Sequence, residues 1–323
     1  NAGETENKGI DLTINSTNIT NKNFTWNTSI TLSHNKNSVK KLTGEDVQLW
    51  EANFGYSQNT HIIGVNQPLG QMYGYVTDGL YQVSDFDYDA ATKTYTLKDG
   101  VPYAGEKGNV KPGMWKFKNI DGSKDNKITE ADKTVIGNAY PKIYGGINNT
   151  FTYKDFDLSI FLTYSIGNDV FNATKLTNTK TALQNKNVLA VADSKHRWVL
   201  VNKAGDLITD PQEMADINKG KTVAAIYDNE AGDTYIHSWA VEDGSFLKLS
   251  NITLGYTFPK KMIRKVGLSK LRLYATGSNL LTWTKYSGFD PEVSTMGNGL
   301  TPGVDFGAYP RSRSFVFGIN LAF

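Results

Sequence analysis

The stretch SFVFGINLAF, from Ser314 to Phe323, carries a large apolar residue at every odd position and mostly small or polar residues at the even ones. Because successive side chains of a β-strand point to opposite faces, the stretch predicts a strand with one apolar face and one small or polar face. A soluble β-protein can show the same alternation, but we expect its apolar row to end on a chain-terminal aromatic residue only rarely. A barrel strand that faces lipid carries this pattern.

The composition of the chain excludes several classes of protein. None of the 323 residues is cysteine, so disulfide bonds, cysteine-ligated zinc and thiol catalysis are excluded. The net charge of +2 gives no reason to expect a nucleic-acid partner, which requires a concentrated basic surface. The sequence contains no apolar run near the roughly 18 residues that a membrane helix requires. A chain of this kind can enter a membrane only as strands, which are apolar at alternate positions.

Alternation of apolar and polar residues predicts seven strands. The second is typical, because Phe24, Trp26 and Ile30 alternate with polar residues. The predicted strands cover residues 9–15, 23–34, 144–153, 156–166, 246–258, 271–283 and 313–323. The predicted fold class is all-β, an antiparallel transmembrane β-barrel.

The connections between these strands alternate between short and long. The long ones, predicted as external loops, are 35–143, 167–245 and 284–312. Outer-membrane barrels have short periplasmic turns and long extracellular loops, which predicts a bacterial outer-membrane location. Because single-chain bacterial barrels have an even number of strands, we expect this chain to be the C-terminal part of a larger barrel. The polar faces of the strands would then line a wet lumen, with Asn27, Ser29, Thr31, Ser159, Thr163 and Asn320 among them.

Five motifs spread over the chain resemble one family. They are NKGIDL (Asn7–Leu12), GYVTDGLY (Gly74–Tyr81), WAVEDGSFLKLSNITLGYTFP (Trp239–Pro259), GSNLLTWTKYSGFDPEV (Gly277–Val293) and YPRSR (Tyr309–Arg313). In this order the motifs resemble the barrel of SusC/RagA-type TonB-dependent outer-membrane transporters.

The resemblance implies a barrel of about 22 strands that encloses an N-terminal plug. It also implies energy coupling through TonB and a SusD/RagB-like surface lipoprotein that acts as a lid. Members of the family import oligosaccharides or, in some cases, oligopeptides. We identify neither a plug domain nor a TonB-contacting segment in the sequence, and we expect both to lie outside this chain.

The segment from Asp121 to Asp132 matches the spacing of a twelve-residue calcium loop. The expected ligands are Asp121, Ser123, Asp125, the backbone carbonyl of Lys127, Thr129 and Asp132. Asn126 stands where the motif usually has glycine, and Asp132 stands where it usually has glutamate. We expect a structural Ca²⁺ that orders the first long loop. The alternative is an acidic surface turn closed by hydrogen bonds from Asp side chains to the backbone.

Aromatic residues in the long loops are candidates for substrate contact, because sugar rings stack on aromatic faces. The predicted substrate-binding residues are Tyr75, Trp115, Trp239, Tyr286 and Phe289, with Asp290 as a hydrogen-bond acceptor. Loops of this length also bury aromatic residues in order to fold. Packing is therefore the alternative role at each position.

No catalytic residue is predicted. Glu242 and Asp243 are adjacent on a strand and point to opposite faces, so they cannot flank one glycosidic bond. The four histidines show no metal-ligand spacing. A transporter without enzymatic activity is the favoured function, and a secreted or surface glycan-binding β-sandwich stabilised by calcium is the alternative. Detergent dependence distinguishes them, because the apolar rows form a surface too large for a soluble monomer.

Overall fold

Seven long strands form one antiparallel sheet. The computed structural model describes residues 3–53, 57–179, 187–227, 235–296 and 298–323. The strands are β1 (Gly3–Thr20), β2 (Phe24–Leu42), β3 (Ile143–Tyr153), β4 (Phe156–Ile166), β5 (Phe246–Thr257), β6 (Lys270–Thr284) and β7 (Ser314–Ala322). Their order in the sheet follows the chain, with β1 and β7 at the two edges. A β-sandwich would divide these strands between two facing sheets, whereas here all seven share one.

The helices of the described residues are short. They are α1 (Ala173–Asn178), α2 (Pro211–Ile217) and α3 (Lys260–Ile263). None of them is long and apolar enough to cross a membrane. The described chain is therefore all-β.

The first two strands are longer than the alternation predicts. β1 and β2 pair from Gly3 with Leu42 to Thr20 with Thr25, so the first long loop begins after Leu42 and not at residue 35. Most residues of the additional pairs are polar, as in Lys8 with Lys36 and Asn7 with Asn37. Apolar periodicity cannot detect such a segment, because backbone pairing with the neighbouring strand holds it.

One face of the sheet is apolar across all seven strands, and we call it the apolar face. The register places Ile147 of β3 between Ile30 of β2 and Leu162 of β4. Its exposed large residues include Ile10, Leu12, Ile14, Phe156, Leu254, Leu273, Leu281, Trp283, Phe315, Phe317, Ile319 and Leu321. An apolar surface that spans a whole sheet requires an apolar environment.

The opposite face is polar and carries hydrogen bonds between strands. Ser159 Oγ donates to Asn148 Oδ1 at 3.1 Å, and the hydroxyls of Thr253 and Thr276 are 2.9 Å apart. Arg272 of β6 forms an ion pair with Asp157 of β4 across the intervening strand, with Nε 3.0 Å from Oδ1. These bonds satisfy the polar groups of adjacent strands without requiring a second sheet.

The three long loops are folded and contain their own strands. The first loop, 43–142, contains Val47–Asn53, Ser57–Gly64, Gln71–Gly74, Thr77–Leu80, Phe86–Asp89, Thr94–Leu97, Tyr103–Ala104, Trp115–Phe117, Lys127–Ile128 and Thr134–Asn138. The second loop, 167–245, contains Asp169–Asn172, α1, α2 and Val241–Asp243, and the third, 285–313, contains Val304–Asp305. The helix α3 lies in the short connection between β5 and β6.

The buried core of the chain lies in these loops. One cluster joins Tyr75 and Phe117 of the first loop to Trp198 of the second. Another joins Met72 of the first loop and Phe171 of the second to Val304 of the third. Asp169–Asn172 pairs with both Val241–Asp243 and Val304–Asp305, so the second and third loops also share a small sheet. The three loops therefore fold as one unit above the seven strands.

A glycine in β3 allows an aromatic side chain to cross it. Tyr164 of β4 lies opposite Gly145, and its hydroxyl donates to the carbonyl oxygen of Thr31 on β2 at 3.0 Å. A Cβ on Gly145 would overlap with that same carbonyl oxygen. The missing side chain thus permits a contact between strands that are not neighbours.

We expect the substitution Gly145→Ala to lower stability by roughly 1–3 kcal/mol, because the added methyl group forces β2 and β3 apart. Gly108→Ala is the control, because a Cβ at Gly108 meets nothing within 4 Å. Thermal unfolding of the two purified variants in detergent measures the difference. Equal midpoints would contradict the steric argument.

Candidate functional site

A cavity of about 270 Å³ opens where the second and third loops meet. We call it the loop cavity. Its polar lining includes Asn172, Lys175, Ser287 and Asp305, and its apolar lining includes Leu189, Val191 and Phe289. The mixture of a few placed polar groups with apolar walls is typical of small-molecule sites.

The polar side of the loop cavity is built around Lys175. Its Nζ forms an ion pair with Glu242 Oε1 at 3.1 Å and lies 4.1 Å from the centre of the Trp239 ring. Asn172 begins α1 as its N-cap, accepting a hydrogen bond from the Lys175 backbone N–H at 2.8 Å. The cap and the ion pair together hold the lysine in place against the aromatic ring.

Glu242 is ionised at neutral pH. Burial raises its pKa, but hydrogen bonds from the Ser287 N–H and hydroxyl, together with the charge of Lys175, outweigh burial and hold the pKa below its usual range. Both bonds from Ser287 are 2.8 Å long. Asp243 makes separate contacts and accepts a bond from the Ser245 N–H at 2.9 Å. The carboxylates of Glu242 and Asp243 therefore have different hydrogen-bond partners.

Tyr286 lies behind Asp305, a buried residue of the cavity lining. The Tyr286 hydroxyl donates to Asp305 Oδ2 at 2.5 Å, and both residues are buried. Burial, followed by the hydrogen bond and charge of Asp305, raises the pKa of Tyr286. The predicted substrate residue Tyr286 is therefore a fixed support behind the cavity surface.

Phe289 lies at the edge of the loop cavity with 79% of its surface exposed. The neighbouring Asp290 is buried, and its carboxylate lies 3.2 Å from Arg311 Nε. Its other oxygen accepts a bond from the Glu292 N–H at 3.0 Å, which closes a turn around Pro291. The aromatic ring thus projects from a firmly held segment.

Four charged residues attach this segment to the sheet, and we call them the ion cluster. They are Lys248 of β5 with Asp290, Glu292 and Arg311 of the third loop. Glu292 lies 2.7 Å from Lys248 and 3.1 Å from Arg311. Because Lys248 and Asp290 are buried, each requires the opposite charges around it.

The remaining predicted substrate residues lie deeper in the loops. Tyr75 and Trp115 are buried in the loop core. The Trp115 ring centre is 4.8 Å from that of Trp239, which is partly buried and contacts Lys175. The structure therefore brings Trp239, Tyr286 and Phe289 to the loop cavity region. The sequence analysis did not predict Lys175 as a site residue. A local sequence feature that could have drawn attention to it is Asn172, the helix cap three residues earlier.

The backbone of the predicted calcium loop suits calcium binding, but several of its side chains make the hydrogen bonds of the alternative turn. Asn126 has a φ of 56°, the left-handed conformation that the turn requires. Both oxygens of buried Asp132 accept bonds from backbone N–H groups, at 2.7 Å from Ile120 and at 2.8 Å from Thr129. Asp121 and Asp125 accept bonds from the N–H groups of Ser123 and Lys127, the hydrogen bonds of the alternative turn.

Among the described residues, no three His, Asp or Glu side chains form a metal-binding group. The loop motif also uses hydroxyl and backbone oxygens as ligands. The Ca²⁺ site therefore stays a prediction. Equilibrium dialysis against calcium tests it, and the absence of bound calcium at millimolar concentration would contradict it.

His61 connects the first and third loops. It is fully buried, and its Nε2 donates to the carbonyl oxygen of Pro302 at 3.0 Å. Because a carbonyl can only accept, Nε2 carries the proton and Nδ1 accepts from the Thr60 hydroxyl at 2.9 Å. Burial lowers the pKa of His61 to about 4, against the opposing effect of the Pro302 bond. The histidine is therefore neutral where the loops meet.

Comparison with known proteins identifies homologues of the chain. No family model matches the chain. Over its whole length, the chain is 33% identical to TonB-dependent receptor P3 and 30% identical to TonB-dependent receptor P39, both of Formosa agariphila. It is 28% identical to TonB-dependent receptor SusC of Bacteroides thetaiotaomicron. The chain is a homologue of the TonB-dependent receptors. It spans 29%, 31% and 27% of the lengths of these three relatives.

Solved structures show the same fold for this TonB-dependent receptor homologue. The RagAB peptide transporter matches 99% of the chain with a TM-score of 0.66 and 22% identity. The RagAB peptide importer in the open-open state matches 99% of the chain with a TM-score of 0.64 and 21% identity. The matches cover 30% and 29% of those chains. The relatives are receptors and transporters, in line with the sequence prediction of a protein that is not an enzyme.

We expect the loop unit of this TonB-dependent receptor homologue to lose stability as the pH falls from about 6.5 to about 4. In the unfolded chain His61 takes up a proton near pH 6.5, but in the fold it does so only near pH 4. The unfolded state therefore binds more protons in this window, which costs up to about 3 kcal/mol.

His61→Gln keeps a donor for Pro302 but cannot titrate, so we expect it to remove this part of the pH dependence. His196→Gln is the control, because His196 is exposed. Protease resistance of the loops, measured from pH 7.5 to 4, gives the stability. A pH profile that His61→Gln leaves unchanged would contradict the assignment.

Proposed function

We propose that the chain forms part of the barrel wall and external loops of a TonB-dependent outer-membrane transporter. The observation that carries this proposal is the apolar face, which extends across all seven strands. A lipid-facing barrel wall requires such a surface, while its opposite face lines a polar interior. The homology to SusC and to other TonB-dependent receptors supports the same reading.

We further propose that the sheet continues into a closed barrel of about 22 strands. β1 and β7 each have one edge that is unpaired among the described residues, and open edges are not stable at membrane depth. The relatives are more than three times as long as the matched segment, which allows room for further strands and for a plug. In this proposal, TonB acts through the plug, and transport is a conformational cycle in which no bond is made or broken.

The folded loop unit is the proposed contact surface for substrate and for a SusD/RagB-like surface lipoprotein. The three loops present one joint surface, because they pack around shared cores. The exposed ring of Phe289 beside the loop cavity is the proposed first contact for substrate. RagAB is described as a peptide transporter, and an aromatic face also suits a sugar ring. The proposed cargo is therefore an oligosaccharide or an oligopeptide.

Detergent extraction of outer membranes, followed by electrophoresis of boiled and unboiled samples, tests the proposed function. We expect this segment in a heat-modifiable band of roughly 100 kDa or more, because the 35.7 kDa chain covers only 29% of its relative. The closed hydrogen-bonded barrel resists unfolding until it is boiled. A water-soluble species of about 36 kDa without a heat shift would contradict the proposal.

We expect Phe289→Ala to raise the half-saturation concentration of substrate uptake by roughly fivefold, which corresponds to about 1 kcal/mol for a lost aromatic contact. Tyr309→Ala is the matched control, because Tyr309 is an aromatic residue of the same loop with 90% of its surface exposed. Uptake of labelled oligosaccharides and oligopeptides by cells that carry each variant gives the measurement. The same change in both variants, or none in Phe289→Ala, would argue against substrate contact at Phe289.

A further inference from the structure

The short connection between β5 and β6 concentrates positive charge. We call this connection, together with the first residue of β6, the basic turn, and its cations are Lys260, Lys261, Arg264, Lys265 and Lys270. No acidic residue occurs between 258 and 270, and all five cations are exposed. Among the ion pairs of the described residues, none involves these five. Their charges are available to a partner outside the chain.

A buried side chain and backbone hydrogen bonds support the basic turn. Ile263 is buried beneath it, and its carbonyl oxygen accepts a bond from the Leu268 N–H at 3.2 Å. Gly267 has a φ of 77° and ends the helical segment, as left-handed glycines often do. The Ser269 N–H then donates to Ala322 of β7 at 2.8 Å. The cations are therefore presented on an ordered support at the end of the sheet.

Exposed apolar residues accompany the charges. Met262 is 59% exposed and Val266 is 70% exposed. The turn follows Tyr256 and Phe258, whose ring centres are 4.9 Å apart at the end of the apolar face. Cations next to exposed apolar side chains and aromatic rings are the composition of a membrane–water interface. A surface that binds only ions in water does not need these apolar groups.

We propose that the basic turn binds anionic phospholipid headgroups in the leaflet on the short-turn side of the membrane. This inference rests on the proposed function, which places the apolar face in lipid and the turn at its border. Clustered basic residues next to a membrane attract anionic lipid within a Debye length. Lys22 and Lys154 lie in the other two short turns, where Asp155 is the only acidic residue, so the side chains of the three turns together carry a net positive charge.

An acidic soluble protein is the competing partner for this charge. The continuity of Met262 and Val266 with the aromatic end of the apolar face favours lipid, because a headgroup layer begins where the apolar face ends. A protein partner would bind the charges without requiring this border position.

The test uses the full receptor, purified in detergent and mixed with phosphatidylglycerol or phosphatidylcholine. Native mass spectrometry counts the lipids that remain bound. The variant K260Q/K261Q/R264Q/K265Q removes four cations from the turn. The control variant K36Q/K41Q/K203Q/K219Q removes four exposed lysines outside the short turns, two near the C-terminal end of β2 and two in the second loop. Both variants must keep the heat shift of the wild type, which shows that the barrel is folded.

We expect the turn variant to bind phosphatidylglycerol roughly tenfold more weakly than the wild type, with no change for phosphatidylcholine and none in the control. Added salt should weaken phosphatidylglycerol binding by the wild type more than it weakens binding by the turn variant. Equal phosphatidylglycerol binding by all three proteins overturns the inference. Unchanged lipid binding with lost uptake in the turn variant also overturns it and points to an acidic protein partner.

The same samples distinguish a failure of the proposed function from a failure of the lipid-binding proposal. A wild-type protein that is water-soluble and shows no heat shift contradicts the proposed function itself. A heat-modifiable wild type whose lipid binding does not depend on the turn contradicts only this inference.

Discussion

The antiparallel register of the seven strands is the constraint on which the rest of the structure depends. Because side chains alternate with a period of two, a slip of one residue in any strand would move its apolar row to the polar face. The pairing of β4 with β5 contains one irregularity, and it shows how the register is kept. Leu162 pairs with Leu249 and Phe161 with Asn251, so Ser250 is an extra residue in β5.

This bulge changes the parity of the apolar row in β5. Leu247 and Leu249 are apolar at odd positions, while Ile252 and Leu254 are apolar at even ones. The extra residue brings both halves to the same face, and the Ser250 hydroxyl lies 2.7 Å from the hydroxyl of Thr163 on the polar face. A bulge at this point therefore preserves the continuity of the apolar face.

The register also determines where the chain buries its apolar groups. A sheet with one face towards an apolar environment and one polar face has no core of its own, so the buried side chains collect in the loops. Connections between distant segments then determine the shape of the loop unit. The ion cluster attaches the third loop to β5, and His61 attaches the first loop to the third. Within the third loop, Tyr286 is buried and bonded to Asp305, whereas Phe289 three residues later is exposed.

The sequence by itself determined the approximate positions of the seven strands, the alternation of short and long connections, and the resemblance to TonB-dependent receptors, because periodicity and motifs are local properties of the chain. It did not determine the polar extension of β1 and β2, which only backbone pairing reveals. The sequence also did not distinguish the buried residues Tyr75 and Trp115 from the exposed Phe289. The type of an aromatic residue does not indicate whether it is buried. Only the tertiary structure decided those roles. The deciding contacts, such as that between His61 and Pro302, join residues 241 positions apart, and no local pattern encodes such a contact.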